Sequence, residues 1–550
     1  MIRIYRLCKS YLKKPRNLVL LFFYIALCFV SSILSLGIPY ISGKFVDYLV
    51  ISRDSDFIIK YSLLFGLINL GAILLGFLIN RVNVLLQTRL GFQLNRDVIA
   101  HIQKLPLSFF HGKNLAYLTQ RINGDSNALM TFCISAIQNF LTNFVAILLA
   151  FSFLYVFNPV VACLMCVLVV IYYLAFIAMR TSLFQKGYEF KEIQSEYFGR
   201  LHEQISYIEI LKLQAIADLF LTKLNTALNR LLNVALKFQG ISYLFSGIDS
   251  FIMTIANVVL FILGGTKVIY GELTIGQFTI LTSYFSIMMK SVHYFFGLGK
   301  TIQDNMVSYY RLQEILQITE EVNGSKRISS INQIVIENLS FSYSEQMPKL
   351  FNGACMDFQK GNIYVCMGSN GSGKSTFVKL ISGLYSCKFE GDIKFDGVSI
   401  RDIDMEHVRR NIMGISEQEP DLIGETICFN LFFKDTLSKE EEAIVYDLLE
   451  ILGLDDFISN LSDGIYSKVS DSVDSMSGGE KQKLSLLRAL AKNPQIIILD
   501  EPTSALDIEC QEKLRNYLLS LKKDKIILII THNEKFSHIA DKYVYFPITS

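Results

Sequence analysis

Apolar residues crowd the first three hundred positions in runs long enough to cross a bilayer, and thin out beyond them. A helix needs roughly 20 apolar residues to span the hydrocarbon. Runs at 18–38, 61–79, 132–157, 160–179, 242–269 and 276–298 meet that requirement and predict six spans. The second and third runs are separated by about fifty residues and the fourth and fifth by about sixty, far more than ordinary loops. Both intervals are charged yet keep helical spacing, as in Ile193, Tyr197, Leu201, Ile205 and Ile208, so helices are expected to overshoot the membrane. A polar stretch at 320–330, with Asn323, Gly324 and Ser325, reads as a linker. After it, compact apolar runs at 363–367, 496–499 and 526–530 alternate with helical segments, the pattern of buried parallel strands. Ser438 and Glu441 predict a capping box opening a helix that runs through Leu449. The expected fold is therefore multidomain, an all-α six-helix transmembrane domain with long cytoplasmic helical extensions followed by an α/β domain.

Charge orients these elements. Arg81, Arg89, Arg96, Lys104 and Arg121 lie in the first long interval, and Arg180, Lys186, Lys191, Arg200 and Lys212 in the second. Arg3, Arg6, Lys9, Lys13, Lys14 and Arg16 precede the first span. Basic residues favour the cytoplasmic side, so both termini and both long intervals are expected there. The first apolar run is too long for a signal-peptide core and is followed by others, which predicts an uncleaved span. The 550 residues are 51% apolar, with mean hydropathy +0.37, and their net charge of +2 carries no footprint of nucleic acid. Ten scattered cysteines imply no disulfide framework. Cys163 and Cys166 have redox-motif spacing but sit in an apolar run, where they read as small residues of one helix.

Gly368, Ser369, Asn370, Gly371, Ser372, Gly373, Lys374 and Ser375 fit the phosphate-binding loop pattern, between a strand and a helix as it requires. Glycines are needed because phosphate approaches the backbone too closely for side chains, and successive N–H groups must point inward. The helix opening through Thr376 adds its positive end. Lys374 would neutralise the outer phosphates, and Ser375 would ligate magnesium. Asp500 and Glu501 end the apolar run at 496–499, and ligands of such folds sit at the carboxyl ends of strands. There Asp500 suits a magnesium shell, and Glu501 can orient or deprotonate an attacking water. An acidic pair closing a strand is common by itself, and a histidine after a strand, as His532 is, is more often structural.

Taken in order, the loop at 368–375, Gln418 within Ser416-Glu417-Gln418-Glu419-Pro420, Met476-Ser477-Gly478-Gly479-Glu480, Leu499-Asp500-Glu501-Pro502-Thr503, Ser504-Ala505-Leu506-Asp507 and Thr531-His532 resemble the ATP-binding cassette (ABC) superfamily. The resemblance implies a P-loop NTPase cassette that uses ATP and Mg2+. It also implies that Gln418 links the magnesium site to the membrane domain, that Asp507 contacts a partner cassette and that His532 reads the γ-phosphate. Tyr343 falls where the family stacks an aromatic on adenine. Ser477, Gly478, Gly479 and Glu480 correspond to the signature element that caps the nucleotide of the opposite cassette, so a second half-transporter is implied. A homodimer is favoured, because every catalytic element is present, and a heterodimer is possible. Glu480 stands where the family most often has glutamine, with little effect expected, since a carboxylate suits a helix start. Ser467 to Ser475 fits the exporter pattern at Val469 and Asp471, but has Ser470 and Val473 where glycines are expected.

The membrane half resembles six-helix ABC exporters at Leu105-Pro106-Leu107-Ser108-Phe109-Phe110, at Arg121-Ile122-Asn123-Gly124-Asp125, at 271–277 and at 311–316. This implies a short coupling helix around Gly124 and Asp125. The expected boundaries are 1–320 for the transmembrane domain, 321–332 for the linker and 333–550 for the cassette. Charges within spans are functional candidates by default, and Asp249, Lys290 and His293 qualify. Lys290 and His293 are read as facing the central cavity and meeting a polar or anionic part of the cargo. Solvation in a watery vestibule is the plainer alternative. The expected function is ATP-driven export by alternating access across the cytoplasmic membrane, with ATP hydrolysed at two composite sites of a dimer. The alternatives are an ATP-gated channel or regulator, and an importer built on the exporter fold. No protease-like domain precedes the first span, which argues against leader-peptide processing. The cargo is not readable.

Overall fold

The computed structural model describes residues 2–51, 55–110, 115–343, 347–385, 388–469, 476–532 and 534–546. The chain divides into two compact units, Met1–Ile102 with Ala116–Gln317 and Gln103–Leu115 with Ile318–Ser550.

The first unit is all helix: α1 (Ile2–Leu12), α2 (Pro15–Ile51), α3 (Ser55–Ile102), α4 (Leu115–Phe157), α5 (Pro159–Ser206), α6 (Ile208–Leu213), α7 (Ala217–Ile269) and α8 (Ile275–Leu316). The apolar runs occupy only part of each long helix. The charged interval after the second run continues α3 to Ile102, and the one after the fourth continues α5 to Ser206 before the short α6 turns the chain into α7. Among the described residues, five helices (α2 to α5 and α7) are long and apolar enough to cross a membrane. The sixth long helix, α8, is more polar and opens on a capping box between Thr274 and Gln277. Asn158 accepts from the N–H groups of Val160 and Val161, and Pro159 begins α5, so the tight α4–α5 turn is closed by its own two residues. Tyr284, Phe285, Met288 and Met289 of α8 pack with Ala150, Leu154 and Met165 into this unit's buried core.

One expectation is corrected here. Gly124 and Asp125 form no separate coupling helix; they lie inside the continuous α4, where Asp125 is buried. Apolar residues at helical spacing around them, Ile122, Leu129 and Met130, keep the helix intact. The break falls earlier, at Pro106, after which a single 3-10 turn, Leu107–Phe109, belongs to the second unit and sets Leu107 against that unit's core.

The second unit is α/β. Strands β1 (Gln333–Phe341), β2 (Phe351–Gln359), β3 (Ile363–Gly368), β4 (Glu390–Phe395), β5 (Val398–Ser399), β6 (Met413–Ser416), β7 (Ile496–Asp500), β8 (Ile526–Ile530) and β9 (Lys542–Phe546) form two sheets. The smaller sheet has the order β2-β1-β4-β5 and is antiparallel. The larger has the order β6-β7-β8-β3-β9 and is parallel throughout. Its central strands are apolar at every buried position, as strands covered on both faces must be. Helices α9 (Lys374–Ile381), α10 (Met405–Asn411), α11 (Ile427–Phe432), α12 (Lys439–Leu452), α13 (Asp455–Ser459), α14 (Gly478–Ala491) and α15 (Ile508–Leu521) cover it. Ser438 and Glu441 close the expected box at the start of α12, which ends at Gly453 in the left-handed conformation. The polar stretch before β1 lies along residues 402–404: the Gly324 N–H donates to the Ile403 carbonyl and the Lys326 N–H to the Asp402 carbonyl, each at 3.0 Å. The atypical residues Ser470 and Val473, and the fitting Asp471 between them, lie outside the described residues.

Candidate nucleotide site

The parallel sheet decides where the chemistry collects. Strands β6, β7, β8 and β3 point the same way, so the chain leaves all four along one edge of the sheet. Gln418 follows β6, Asp500 and Glu501 close β7, His532 follows β8, and the glycine-rich loop follows β3. Residues distant in sequence thus share a cleft of about 630 Å³, lined by Tyr343, Asn370, Gly371, Lys374, Ser375, Thr376, Gln418, Asp500, Glu501 and His532 among others.

Within the loop, Gly371 and Gly373 have φ of 79° and 100°. Side chains rarely tolerate that region. At Gly373 a Cβ would also stand 3.0 Å from Leu350. Gly373 caps α9, so that helix directs its positive end into the cleft. The Lys374 ammonium donates to the carbonyls of Gly368 (2.7 Å) and Ser369 (3.0 Å). Gly368, Ser369 and Ser372 form the loop's body and are absent from the described cleft lining, and the buried Ser372 N–H bonds the Ser369 carbonyl at 3.2 Å.

Ser375 Oγ donates to Asp500 Oδ2 at 3.1 Å. Burial pushes the Asp500 carboxyl above its usual range, opposed by the Ser375 hydroxyl and the Lys374 ammonium. Glu501 leaves β7 with φ of 49°, a left-handed turn that is uncommon outside glycine. Its N–H bonds the Ile530 carbonyl at 2.8 Å, so the turn is held by β8. Burial raises the Glu501 carboxyl, the Asp500 charge raises it further, and His532 opposes both. His532 Nε2 stands 3.6 Å from Glu501 Oε1. Tyr343, following β1, shares a hydrogen bond between its hydroxyl and Thr376 Oγ1 at 2.6 Å and packs edge-on against Phe341. Tyr343 is 41% exposed, leaving area for a flat partner.

Ser477, Gly478, Gly479 and Glu480 do not line this cleft. They open α14, with Ser477 and Gly478 exposed. The Ser477 hydroxyl caps the Glu480 N–H at 3.2 Å, and Glu480 Oε2 accepts the Ser477 N–H at 2.6 Å. Glu480 thus completes a capping box, as glutamine also can. Asp507 caps α15 through the Cys510 N–H at 2.8 Å, which holds its carboxyl below the usual range. In the helical unit, His293 Nδ1 shares a hydrogen bond with the Tyr172 hydroxyl at 2.8 Å, and Lys290 is exposed on α8.

One clamp in the cleft's frame was not anticipated. Gln482 donates to the Glu501 carbonyl at 2.9 Å and accepts from Ser504 Oγ at 2.7 Å, clamping the turn that carries Glu501. In the sequence Gln482 is one polar residue among others of α14, and it stands out only once its burial and its partners are known.

A phosphate-binding loop facing strand-end acids defines a P-loop ATPase, here joined to membrane-length helices. Comparison with known proteins agrees. Residues 21–292 match the family model described as ABC transporter transmembrane region, and residues 351–504 the one described as ABC transporter. The chain belongs to the ATP-binding cassette transporters. Its relatives include the uncharacterized ABC transporter ATP-binding protein YknV of Bacillus subtilis, 25% identical over 97% of this chain and 88% of that protein. Another is the ATP-dependent lipid A-core flippase of Photobacterium profundum, 24% identical over 80% of this chain and 75% of that one. A solved structure of a bacterial Atm1-family ABC exporter with ATP bound superposes with a TM-score of 0.84 at 18% identity, covering 97% of this chain and 94% of that chain, and shows the shared fold. The chain is a multi-pass membrane protein and an ATPase coupled to transport. With one membrane region fused to one cassette it is a half-transporter, an architecture that implies a dimer.

Proposed function

We propose that two copies of this chain export a cargo by alternating access, hydrolysing ATP at two composite sites. The observation that carries this reading is the shared cleft at the strand ends, with Ser375 Oγ 3.1 Å from Asp500 Oδ2 beside the phosphate-binding loop. The loop N–H groups and Lys374 hold the phosphates, and Tyr343 stacks on the adenine. Ser375 and Asp500 offer adjacent oxygen donors, and Gln418 lines the same cleft, a set that fits magnesium. Bound there, the ion would neutralise charge on the phosphate oxygens. Glu501 orients the attacking water and accepts its proton, and His532 senses the γ-phosphate. Ser477, Gly478, Gly479 and Glu480 cap the nucleotide of the opposite cassette, and Asp507 contacts that cassette. ATP favours the closed pair of cassettes, and hydrolysis releases it. The boundaries 1–320, 321–332 and 333–550 divide membrane domain, linker and cassette. Both termini are read as cytoplasmic, the side that the basic residues around the spans favour.

The test is magnesium-dependent ATP turnover of this chain alone in lipid nanodiscs. Turnover is expected without any second polypeptide, and its absence would sink the homodimer. Cargo movement in inside-out vesicles gives the direction: accumulation supports export, and depletion or passive flux would favour an importer or a channel. At the base, Tyr343→Ala is expected to weaken ATP binding by about 1–3 kcal/mol, the usual value of base stacking. Tyr343→Phe keeps the ring and is expected to stay near wild type. Equilibrium titration with ATP measures both, and equal losses would contradict stacking.

A further inference from the structure

A second cavity, of about 530 Å³, runs along α5 beyond its most apolar stretch, with α7 and α8 as its other walls. That is the size of a small-molecule site. Among the described residues its lining carries two cations, Arg180 and Lys191, and no carboxylate. At 100° and 1.5 Å per residue they fall on nearly the same face of α5, about 16 Å apart. Between them that face presents Phe184 and Tyr188. Phe190 and Phe238 form the adjoining wall, their rings stacked 5.5 Å apart at 13°. Gly187 allows the wall to close, since a Cβ there would stand 3.2 Å from the Phe238 ring.

Aromatic faces bracketed by cations sort ligands by chemistry. The rings bury an apolar or flat body. The cations reward a negative group and repel a positive one, so a neutral analogue gains only the first part. The geometry points to a cargo-recognition site for an amphipathic organic anion, seated on α5 between Arg180 and Lys191. This deepens the exporter reading and rests on it. Lys290 and His293 are not among the residues lining this cavity.

The chain contains no tryptophan, so Tyr188→Trp puts a single indole in the cavity. Full-length protein in phosphatidylcholine nanodiscs is titrated with estrone sulfate and with uncharged estrone, following indole fluorescence. The sulfate is expected to half-saturate at a concentration at least about tenfold below estrone. Adding Arg180→Gln with Lys191→Gln is expected to erase that difference, and Arg180→Lys with Lys191→Arg to restore it. Equal responses to the two steroids overturn the proposal with both cations intact, whatever becomes of the variants. So does an anion preference that survives loss of both charges. Binding is read without turnover. A nanodisc sample that binds the sulfate but hydrolyses no ATP counts against the exporter reading alone, and one that hydrolyses ATP but ignores charge counts against this site alone.

Discussion

Glu501→Gln is expected to lower steady-state MgATP turnover by about 10²–10⁴-fold, the usual contribution of a positioned proton acceptor, while leaving ATP binding within a few-fold of wild type. The amide keeps the shape of the carboxylate and can still sit in the left-handed turn held by the Ile530 carbonyl and the Gln482 amide. What it loses is the capacity to take a proton. Burial and the neighbouring Asp500 both raise the Glu501 carboxyl, which makes it a better base than an exposed glutamate. Phosphate release and ATP titration on the same nanodiscs separate the two effects. A variant retaining more than about a tenth of wild-type turnover would remove Glu501 from the proton-transfer role.

Lys374→Ala is expected to act one step earlier, on binding. A unit charge pair 4 Å apart is worth about 4 kcal/mol at an effective dielectric near 20. Lys374 is half-buried, so solvent screening reduces that value, and a loss of about 10²-fold in ATP affinity is expected. The side chain does more than supply charge. It also ties the carbonyls of Gly368 and Ser369 together, bracing the loop. Equilibrium binding of ATP measures the effect, and thermal unfolding of the ligand-free protein checks the fold. Affinity within a few-fold of wild type would mean that the loop N–H groups and the α9 terminus hold the phosphates without the ammonium.

The parts of this molecule that could be read from the sequence share one property: the local pattern and the tertiary environment agree. The runs at 363–367, 496–499 and 526–530 became β3, β7 and β8 because strands covered on both faces need apolar residues throughout. The Ser438–Glu441 box opened α12 because its two hydrogen bonds are local. The reach of α3 and α5 was only half legible. Hydropathy registers the part of a helix that meets lipid and is blind to its continuation in water, where only the spacing of residues such as Ile193 speaks. The coupling segment was placed at Gly124 and Asp125 by the family resemblance alone, while the apolar neighbours in α4 keep that stretch within one helix. Strand order is not written in any single strand, so the meeting of Gln418, His532 and the phosphate loop needed the sheet. The pairing of Gln482 with Ser504 escaped for the same reason, since a clamp is a relation between residues and not a property of either.

The helix α5 has proline only at its first position and runs unbroken for 48 residues, about 72 Å. Without an interior proline it lacks the commonest origin of a sharp kink. Such a rod transmits displacement as a lever does. A tilt of about 5° pivoting at one end carries the other through about 6 Å, more than one helical turn. The force that moves such a helix is therefore generated at one end and spent at the other with little absorbed between, and a stiff beam delivers motion without itself changing shape.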